Sequence, residues 1–299
     1  MAQPLHILIA ANPKSGAVSR QALLHQLRDA LVNDGFAVDV CTSLDQVEQQ
    51  AAQLHTAGRL RAVVSAGGDG TAAALANRIT AEIPLLIFPM GTENLLAKHL
   101  RLTSDISAAR DRLRASRSVA LDVGLANNKM FLVMASCGFD AAVVEDMHAN
   151  RKGHINRWSY TKPILRTLCR YRFPLAKLLE SDDQAQTRRE QRAAWTFIFN
   201  LPRYAADLKF CPQADPRDGK LDVCTFRQPG IFKGLGYLAR LWFSSHQSMT
   251  GYSHSVATGI TLKSGDEGTP AIPYQLDGDP GGVLPLEIRV LPSRLKLIV

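Results

Sequence analysis

In the first part of the chain, short apolar runs alternate with segments in which apolar residues recur at helical spacing. The spacing over residues 23–31 predicts one amphipathic helix, and Ser43 is placed to cap a second helix that runs towards His55. The apolar runs predict the β-strands Leu5–Ala10, Phe36–Cys41, Ala62–Ala66 and Pro84–Phe88. Because strands that alternate with helices form parallel sheets covered on both faces, we expect an α/β, doubly wound domain over residues 1–122.

In the rest of the chain, strand-like runs are separated mainly by Gly, Pro and Asp. They predict the strands Met130–Ser136, Ala194–Asn200, Leu221–Phe226, Ser255–Leu262, Ile272–Leu276 and Leu284–Val290. Only two helices are expected here, at Tyr160–Arg172 and Ile231–Phe243, and the polar segment Glu180–Arg192 is expected to be an exposed loop. The pattern predicts a mainly β second domain, a sandwich over residues 123–290, with residues 291–299 returning to the first domain.

Composition narrows the cellular setting more than the function. The 299 residues include 35 Lys and Arg against 27 Asp and Glu, and the net charge of +8 favours anionic partners such as nucleotides, nucleic acid or an acidic bilayer. The five cysteines are scattered and form no C-x-x-C pair, which argues against a disulfide framework or structural zinc and favours a reducing compartment. The start MAQPLHILIA lacks the basic region of a signal peptide, and no apolar run reaches the roughly 18 residues of a spanning helix. We therefore expect a cytoplasmic protein.

The strongest local signal is the turn Gly67–Thr71 (GGDGT), which follows the strand-like residues AVVSA and precedes the helical TAAALANRI. Its glycines are expected to adopt positive φ and to let the backbone approach a ligand closely. The helix that follows offers unpaired N–H groups and the positive end of its dipole, both of which suit a phosphate. Asp69 adds a carboxylate for magnesium or a nucleotide hydroxyl. A tight turn without a ligand is the alternative, and five residues of this identity favour the ligand.

Two further turns of this kind follow predicted strands. Pro89–Asn94 (PMGTEN) comes after the next strand, and Asn12–Gly16 (NPKSG) comes after the first strand and carries Lys14. Because the carboxyl ends of parallel strands lie at one edge of a sheet, the three turns are expected to form a polyphosphate cradle. The chain contains no Walker A motif, so a P-loop enzyme is not expected.

These motifs, in this order, resemble the signature of the diacylglycerol kinase catalytic family, which includes bacterial lipid kinases and sphingosine kinases. The resemblance covers almost the whole chain. Its later segments are Leu121–Gly124 (LDVG), Ser136–Ala141 (SCGFDA), Asp215–Asp222 (DPRDGKLD) and Gln275–Asp279 (QLDGD). It implies an ATP-dependent lipid kinase that uses ATP and Mg²⁺, with a first domain like those of NAD kinases and phosphofructokinases.

The resemblance implies a nucleotide site in the first domain. In the family, the GGDGT and GTxN turns hold ATP, and basic residues near the phosphates correspond to Lys14 and Arg20. Asp69 is also expected to take part in catalysis. The residues expected to bind the nucleotide are Asn12, Lys14, Ser15, Arg20, Gly67, Gly68, Asp69, Gly70, Thr71, Gly91, Thr92 and Asn94.

The resemblance also implies a catalytic base and magnesium ligands. The base of the family is the last residue of a D-G-E motif, which here is Asp279, one methylene shorter than Glu. An Asp can accept the hydroxyl proton if its backbone lies about an ångström nearer. Asp122 corresponds to an aspartate that organises magnesium near the site, and Asp215, Asp218 and the carbonyl of Lys220 correspond to a structural magnesium site. A plain turn without a ligand is the alternative for both segments.

Two positions depart from the family pattern. Leu95 stands where many relatives have an aspartate, and residues 205–207 (AAD) stand where many have three glycines. The departures at Leu95 and Asp279 motivate one rival hypothesis, a catalytically silent lipid or nucleotide sensor. The other rival is a kinase of a soluble acceptor, because NAD kinases and phosphofructokinases share a GGDG-type turn. The expected acceptor is diacylglycerol or a related lipid alcohol, with a sphingoid base or ceramide next.

The segment Arg157–Phe173 predicts a helix that faces a membrane. Lys162, Arg166 and Arg170 form a basic stripe at helical spacing beside interfacial aromatic residues, which suits an anionic bilayer surface. Pro163 then has to lie in the first turn of the helix. An amphipathic helix packed on the β domain is the alternative. We expect a peripheral association with an anionic membrane and no nucleic-acid partner, and a homodimer is allowed for.

Overall fold

The structure is a computed structural model that describes residues 4–11, 18–150, 161–182, 186–204, 208–242, 246–265 and 268–299. The chain divides into two compact units. The first is Met1–Leu121 with Ser293–Val299, and the second is Asp122–Pro292. Within the described ranges, no helix combines the length and the apolar character needed to cross a bilayer.

A parallel sheet forms the centre of the first unit. Its strands are β1 (His6–Ala11), β2 (Ala37–Cys41), β3 (Leu60–Gly67), β4 (Leu85–Pro89) and the end of the last strand of the chain, β18 (Leu286–Ile298). They lie in the order β2-β1-β3-β4-β18, and each neighbouring pair is parallel. Leu8 and Ile9 point to opposite faces of the sheet and both are fully buried, as expected when both faces are covered.

Helices cover both faces of this sheet. They are α1 (Val18–Asn33), α2 (Leu44–Thr56), α3 (Asp69–Ala76), α4 (Leu95–His99) and α5 (Ile106–Ala115). Leu27 of α1 and Leu113 of α5 share one core with Ile9, while α2 and α3 pack on the strands from the other side. This arrangement confirms the predicted doubly wound fold class. Ser43 precedes α2 as predicted, but its side chain makes no capping hydrogen bond.

Two antiparallel sheets form the second unit. The first, in the order β14-β13-β10-β7-β16-β17, contains β7 (Met134–Gly138), β10 (Trp195–Phe199), β13 (Leu221–Phe226), β14 (Tyr252–Ala257), β16 (Pro273–Leu276) and β17 (Asp279–Val283). The second, in the order β18-β15-β8-β9, contains β8 (Ala176–Asp182), β9 (Thr187–Ala193), β15 (Gly259–Ser264) and the start of β18. Smaller pairings are made by β5 (Ser118–Ala126) with β6 (Lys129–Phe131) and by β11 (Arg203–Tyr204) with β12 (Leu208–Lys209).

The two sheets enclose a shared apolar core, to which Ile198 and Val223 of one sheet and Leu178 and Leu262 of the other contribute. The opposite face of the first sheet is aromatic and carries Trp195. Among the described residues, this unit has three α-helices: α6 (Phe139–Ala149), α7 (Thr161–Arg170) and α8 (Ile231–Trp242). Phe139 of α6 stacks on Trp195 at a centroid distance of 4.7 Å, and Tyr237 of α8 meets it edge-on at 5.5 Å. The mainly β sandwich predicted for the second half is confirmed.

Two secondary-structure predictions were wrong. The segment Glu180–Arg192 is not a loop, because its described residues belong to the hairpin β8–β9, in which Ala176 pairs with Ala193. Strand β9 lies at the edge of its sheet, where charged side chains are common because they discourage pairing with other chains. The helix α6 was not predicted, and it begins after Gly138, whose φ of 100° starts it abruptly from strand β7.

Two other predicted strands are each divided. Met130–Ser136 contains the break between β6 and β7, where the amides of Leu132 and Val133 donate to the side chain of Asp277 instead of a neighbouring strand. Ser255–Leu262 contains the crossing at Thr258, after which the chain leaves one sheet and joins the other. Apolar patterning alone does not show such crossings, because both strands bury the same kind of residue in one core.

Candidate functional site

The glycine turns after β3 and β4 lie against each other. A Cβ on Gly91 would be 2.5 Å from the Cα of Gly68, and a Cβ on Gly67 would be 2.3 Å from the Oγ1 of Thr71. The amide of Met90 donates to the carbonyl of Gly67 at 2.8 Å. These glycines therefore allow two backbones to approach closely. The expected positive φ was wrong, since no glycine of the described Gly67–Thr71 turn adopts it.

Gly70 has a different environment from its neighbours in the same turn. No atom outside its own helix and chain neighbours lies within 4 Å of the position that its Cβ would occupy. Gly70 is the second residue of α3, where backbone N–H groups have no partner within the helix. The open space beside these groups fits a phosphate, because a helix N-terminus binds anions.

Asp69 ties the two turns together. Its carboxylate oxygens accept hydrogen bonds from the amides of Leu95 at 2.8 Å and Leu96 at 3.0 Å, which begin α4. Burial raises the pKa of Asp69, although these hydrogen bonds oppose the rise. Asn94, with a left-handed φ of 50°, exchanges hydrogen bonds with the backbone of Gly91 at 3.0 and 2.8 Å. The two turns thus form one braced unit.

The structure describes only some of the other residues that were predicted to bind the nucleotide. Thr92 is exposed in the second turn. Asn12, Lys14 and Ser15 lie outside the described residues, and so does the side chain of Arg20. The structure therefore brings together the two turns after β3 and β4, and the role of the first turn stays a prediction. Of the two departures from the family pattern, Leu95 is buried, and residues 205–207 lie outside the described residues.

In the second unit, Asp279 begins the edge strand β17 and its side chain is 57% exposed. Its carboxylate lies 3.8 Å from the Nε2 of His148 on α6. The same nitrogen lies 3.1 Å from the carbonyl oxygen of Gly278. His148 is thus placed to position both the carboxylate and the turn that carries it. Sequence patterning alone did not point to His148, because α6 itself was not predicted.

The turn before Asp279 is anchored on both sides. Asp277 adopts a left-handed φ of 52° and accepts three backbone hydrogen bonds, from the amides of Leu132, Val133 and Met134. The Oε1 of Gln275 accepts from the amide of Gly278 at 2.8 Å. Leu132, Val133, Met134 and Gln275 are all buried, so the turn is held by the core of the sandwich.

A buried carboxyl group lies beneath this turn. Asp140, on α6, accepts hydrogen bonds from the hydroxyl of Ser136 at 2.5 Å, from the amide of Gln275 at 3.3 Å and from the hydroxyl of Tyr204. Burial raises the pKa of Asp140, and the three hydrogen bonds oppose the rise. Gln275 therefore links this buried network to the backbone that precedes Asp279.

The predicted metal ligands come together at one turn of the second unit. Asp122 accepts a hydrogen bond from the amide of Gly219 at 2.7 Å, and Asp218 accepts one from the amide of Lys220 at 2.9 Å. Asp215 belongs to the same turn and is 57% exposed. Asp122, which was expected to organise magnesium near the site, thus lies against the Asp215–Lys220 segment.

The charges at this turn fit a cation. Burial raises the pKa of Asp218, and the neighbouring carboxylates of Asp222, Asp215 and Asp122 raise it further. A hard divalent cation relieves such repulsion and takes carboxylate and carbonyl oxygens as ligands. The side chain of Lys220 is not directed to these carboxylates, because its Nζ donates to Asp182 at 3.0 Å.

Two family models of known proteins match this chain. Residues 6–126 match the family model of the diacylglycerol kinase catalytic domain, and residues 133–299 match that of the YegS C-terminal NAD kinase beta sandwich-like domain. The chain belongs to the diacylglycerol kinase catalytic-domain family. A diacylglycerol kinase of Mycobacterium tuberculosis (strain ATCC 25618 / H37Rv) is 29% identical over 244 residues, which span 79% of this chain and 76% of the relative.

Solved structures show the same fold. A diacylglycerol kinase from Bacillus anthracis str. Sterne superposes with a TM-score of 0.69 at 20% identity, and the match covers 99% of this chain and 96% of the other. An NAD kinase from Archaeoglobus fulgidus, solved in complex with ATP, gives a TM-score of 0.56 at 10% identity over 99% and 93% of the two chains. Membership in the diacylglycerol kinase family identifies the chain as a kinase, a phosphotransferase of the lipid-kinase class.

Proposed function

We propose that this kinase transfers the γ-phosphate of ATP to the hydroxyl of diacylglycerol or a related lipid. The observation that carries the nucleotide part is the braced pair of turns, Gly67–Thr71 and Pro89–Asn94, beside an open space at Gly70. Backbone donors fixed in this way need little reorganisation when they meet phosphate oxygens, which lowers the cost of binding.

Asp279 is proposed as the group that accepts the proton of the acceptor hydroxyl. Phosphoryl transfer depends mainly on the alignment of the acceptor, which requires a base in a fixed position that a substrate can reach. Asp279 is exposed enough to meet an acceptor, and His148 and the anchored turn limit its movement. The backbone next to Asp279 is held by Gln275 and His148, and this fixed position is the feature that we propose allows the shorter Asp side chain to act in place of Glu.

Asp122, Asp215 and Asp218, with the carbonyl of Lys220, are proposed to hold Mg²⁺. When bound there, the ion would neutralise the carboxylates and stabilise the turn that they share. Asp69 takes a positioning role in the proposal, because its carboxylate is already engaged by two backbone amides. Its removal would change the shape of the phosphate cradle.

The proposed membrane surface lies on α7 and α8. The exposed apolar side chains there are Phe232 at 85%, Leu165 at 56% and Leu235 at 45%, and Lys162 and Arg170 are exposed on α7. Basic residues beside exposed apolar groups suit the interface of an anionic bilayer. We infer that this surface brings the kinase to its lipid substrate.

The predicted basic stripe of α7 needs one correction. Arg166 is half-buried and pairs with Asp146 of α6 at 3.2 Å, so it fastens α7 to the unit. Pro163 lies in the first turn of α7, as predicted. Lys162 and Arg170 therefore remain as the residues of the stripe that are available for a membrane surface.

A kinase assay with radiolabelled ATP tests the proposal. The purified protein and Mg²⁺ would be offered total lipid extract and diacylglycerol in mixed micelles, with NAD and fructose 6-phosphate in parallel reactions. Labelled phospholipid, with no labelled soluble product, is the expected result. Label in NAD phosphate or a sugar bisphosphate would favour a soluble acceptor, and no label in any product would favour a sensor.

A further inference from the structure

Three side chains with metal-binding atoms meet inside the second unit. The Sγ of Cys211, a carboxylate oxygen of Asp222 and a ring nitrogen of His254 all lie within 4.8 Å of one another. A fourth such atom, the Sγ of Cys224, lies 3.8 Å from the Sγ of Cys211. The cluster belongs neither to the Asp279 turn nor to the proposed magnesium ligands.

The fold creates this cluster from separate segments. Asp222 and Cys224 are two residues apart on β13 and so share a face of the sheet, and His254 on β14 is the direct cross-strand partner of Cys224. Cys211 comes from the segment before β13. The cysteine spacing argued against structural zinc because no C-x-x-C pair is present. The fold nevertheless brings the potential ligands together from three separate places in the chain.

The set of atoms suits a zinc-class ion better than a hard cation. Thiolate and imidazole ligands select zinc and its neighbours among the transition metals, whereas magnesium and calcium prefer oxygen. Two thiolates bound tetrahedrally at about 2.3 Å from one zinc ion are about 3.8 Å apart. The separation of the two Sγ atoms is 3.8 Å, and both cysteines are free.

Burial and access also fit such a site. Cys211 and Cys224 are fully buried and the side chain of Asp222 is 4% exposed, so water would not compete strongly for an ion held there. The side chain of His254 is 28% exposed, which provides a route to the surface. Without an ion, the buried carboxylate of Asp222 is compensated by its 2.7 Å contact with the Nε2 of His254.

We propose that Cys211, Asp222 and His254, together with Cys224, bind one divalent transition-metal ion of the zinc class. Each thiol releases its proton to solvent when the ion binds, and the His254 ring binds in its neutral form. Four protein ligands leave no open position, so the ion is structural and fastens the Cys211 segment to β13 and β14. The proposal does not depend on the lipid-kinase activity.

Cobalt and zinc titrations of the full chain test this site. The protein would be purified without added metal, reduced with a phosphine and titrated with Co²⁺ without oxygen. We expect about one Co²⁺ per chain, a thiolate-to-cobalt charge-transfer band, the visible bands of tetrahedral cobalt, and their loss when Zn²⁺ is added. Zn²⁺ should also raise the unfolding temperature of the protein.

Variants make the test specific. Cys211→Ser and His254→Gln should each weaken Zn²⁺ binding by more than about tenfold and reduce the cobalt bands. Cys41→Ser is the matched control, because Cys41 is also a buried free thiol but lies in the first unit, and it should bind as the unmodified protein does. If Cys211→Ser does not fold, His254→Gln decides, since His254 is partly exposed.

Three results would overturn the proposal. The first is no saturable binding of Co²⁺ or Zn²⁺ by the reduced protein. The second is unchanged binding by both Cys211→Ser and His254→Gln. The third is a Cys211–Cys224 disulfide, found by mass spectrometry in protein isolated without reductant, combined with no metal binding after reduction. None of these results would alter the kinase assay, so failure of this site is distinguishable from failure of the proposed function.

Discussion

Gly68 and Gly91 belong to different turns, and their backbones are so close that a Cβ on Gly91 would be 2.5 Å from the Cα of Gly68. Gly70, two residues from Gly68, makes no such contact, because nothing lies within 4 Å of the position that its Cβ would occupy. Glycines of one motif thus serve two purposes. Gly68 and Gly91 let the turns pack, and Gly70 leaves room beside the amides at the start of α3.

This difference predicts opposite effects for two alanine substitutions. Gly91→Ala should lower the free energy of unfolding by about 1–3 kcal/mol, because the methyl group meets backbone atoms that cannot move freely. Gly70→Ala should leave stability unchanged or raise it by up to about 1 kcal/mol, since alanine favours a helix, yet reduce kcat/KM for ATP by about 100-fold. Urea unfolding and steady-state kinetics measure the two effects. Equal stability of the two variants would contradict the contact described here.

Asp69→Asn should affect both the fold and the activity. An amide side chain can accept from only one of the two amides that Asp69 now satisfies, and a buried unpaired N–H costs about 1–3 kcal/mol. We expect lower stability of that order and a loss of phosphorylation. Asp105→Asn is the control, because Asp105 caps α5 through one hydrogen bond and Asn caps helices about equally well. Normal activity of Asp69→Asn would remove Asp69 from the site.

Asp279→Asn should lower kcat by about 10²–10⁴-fold if Asp279 is the base, whereas Asp279→Glu should retain activity within about tenfold. The reason is that Glu supplies the same carboxylate and Asn supplies none. Kinetics with saturating lipid and ATP measure the effect. Equal activity of the Asn and Glu variants would exclude a proton-accepting role.

His148→Gln tests the positioning role of His148. The expected loss in kcat is smaller, about 3–10-fold, because the carboxylate remains but is held less firmly. In the double variant with Asp279→Asn, the His148 substitution should add little, since it acts through Asp279. A full multiplicative loss in the double variant would mean that His148 acts independently.

The proposed membrane surface predicts a salt-dependent loss of vesicle binding. Lys162→Glu with Arg170→Glu should weaken binding to phosphatidylserine vesicles by more than about tenfold at low salt, because each basic residue near the surface contributes about 1 kcal/mol. Phe232→Ser should weaken binding at both low and high salt, since its contribution is apolar. Lys129→Glu with Lys263→Glu, exposed strand residues of the same unit, are matched controls. Co-sedimentation measures binding, and equal loss in the control pair would indicate a general charge effect.

His246 predicts a dependence of stability on acid. Burial lowers the pKa of His246, which lies among aromatic rings and has Nε2 2.9 Å from the carbonyl oxygen of Phe210. Because the unfolded chain binds the proton more readily, stability is full above about pH 6.5 and falls as the pH drops below it towards the lowered folded pKa. His246→Gln should show a weaker decrease between pH 7.5 and 5.5 in urea unfolding. An identical decrease in both proteins would show that other groups cause it.

The sequence was sufficient to predict most of the elements, the fold class of each half and the positions of the glycine-rich turns. Alternating helical and strand patterns predicted the doubly wound first unit, because each pattern follows from burying one face of a local element. The turn at Gly67–Thr71 could be found for the same reason, since a turn is a local arrangement of neighbouring residues, whereas the segment Gln275–Asp279 was found through its resemblance to the family.

The contacts of those residues depend on how distant parts of the chain pack. The packing of Gly68 on Gly91, the bonds from Asp69 to α4 and the position of His148 beside Asp279 join residues that are distant in sequence, and no local pattern encodes such distances. The same holds for Cys211 and His254, which meet only because β13 and β14 pair in one register. Local chemistry is readable from the chain, whereas the pairing of distant groups depends on how the whole core packs.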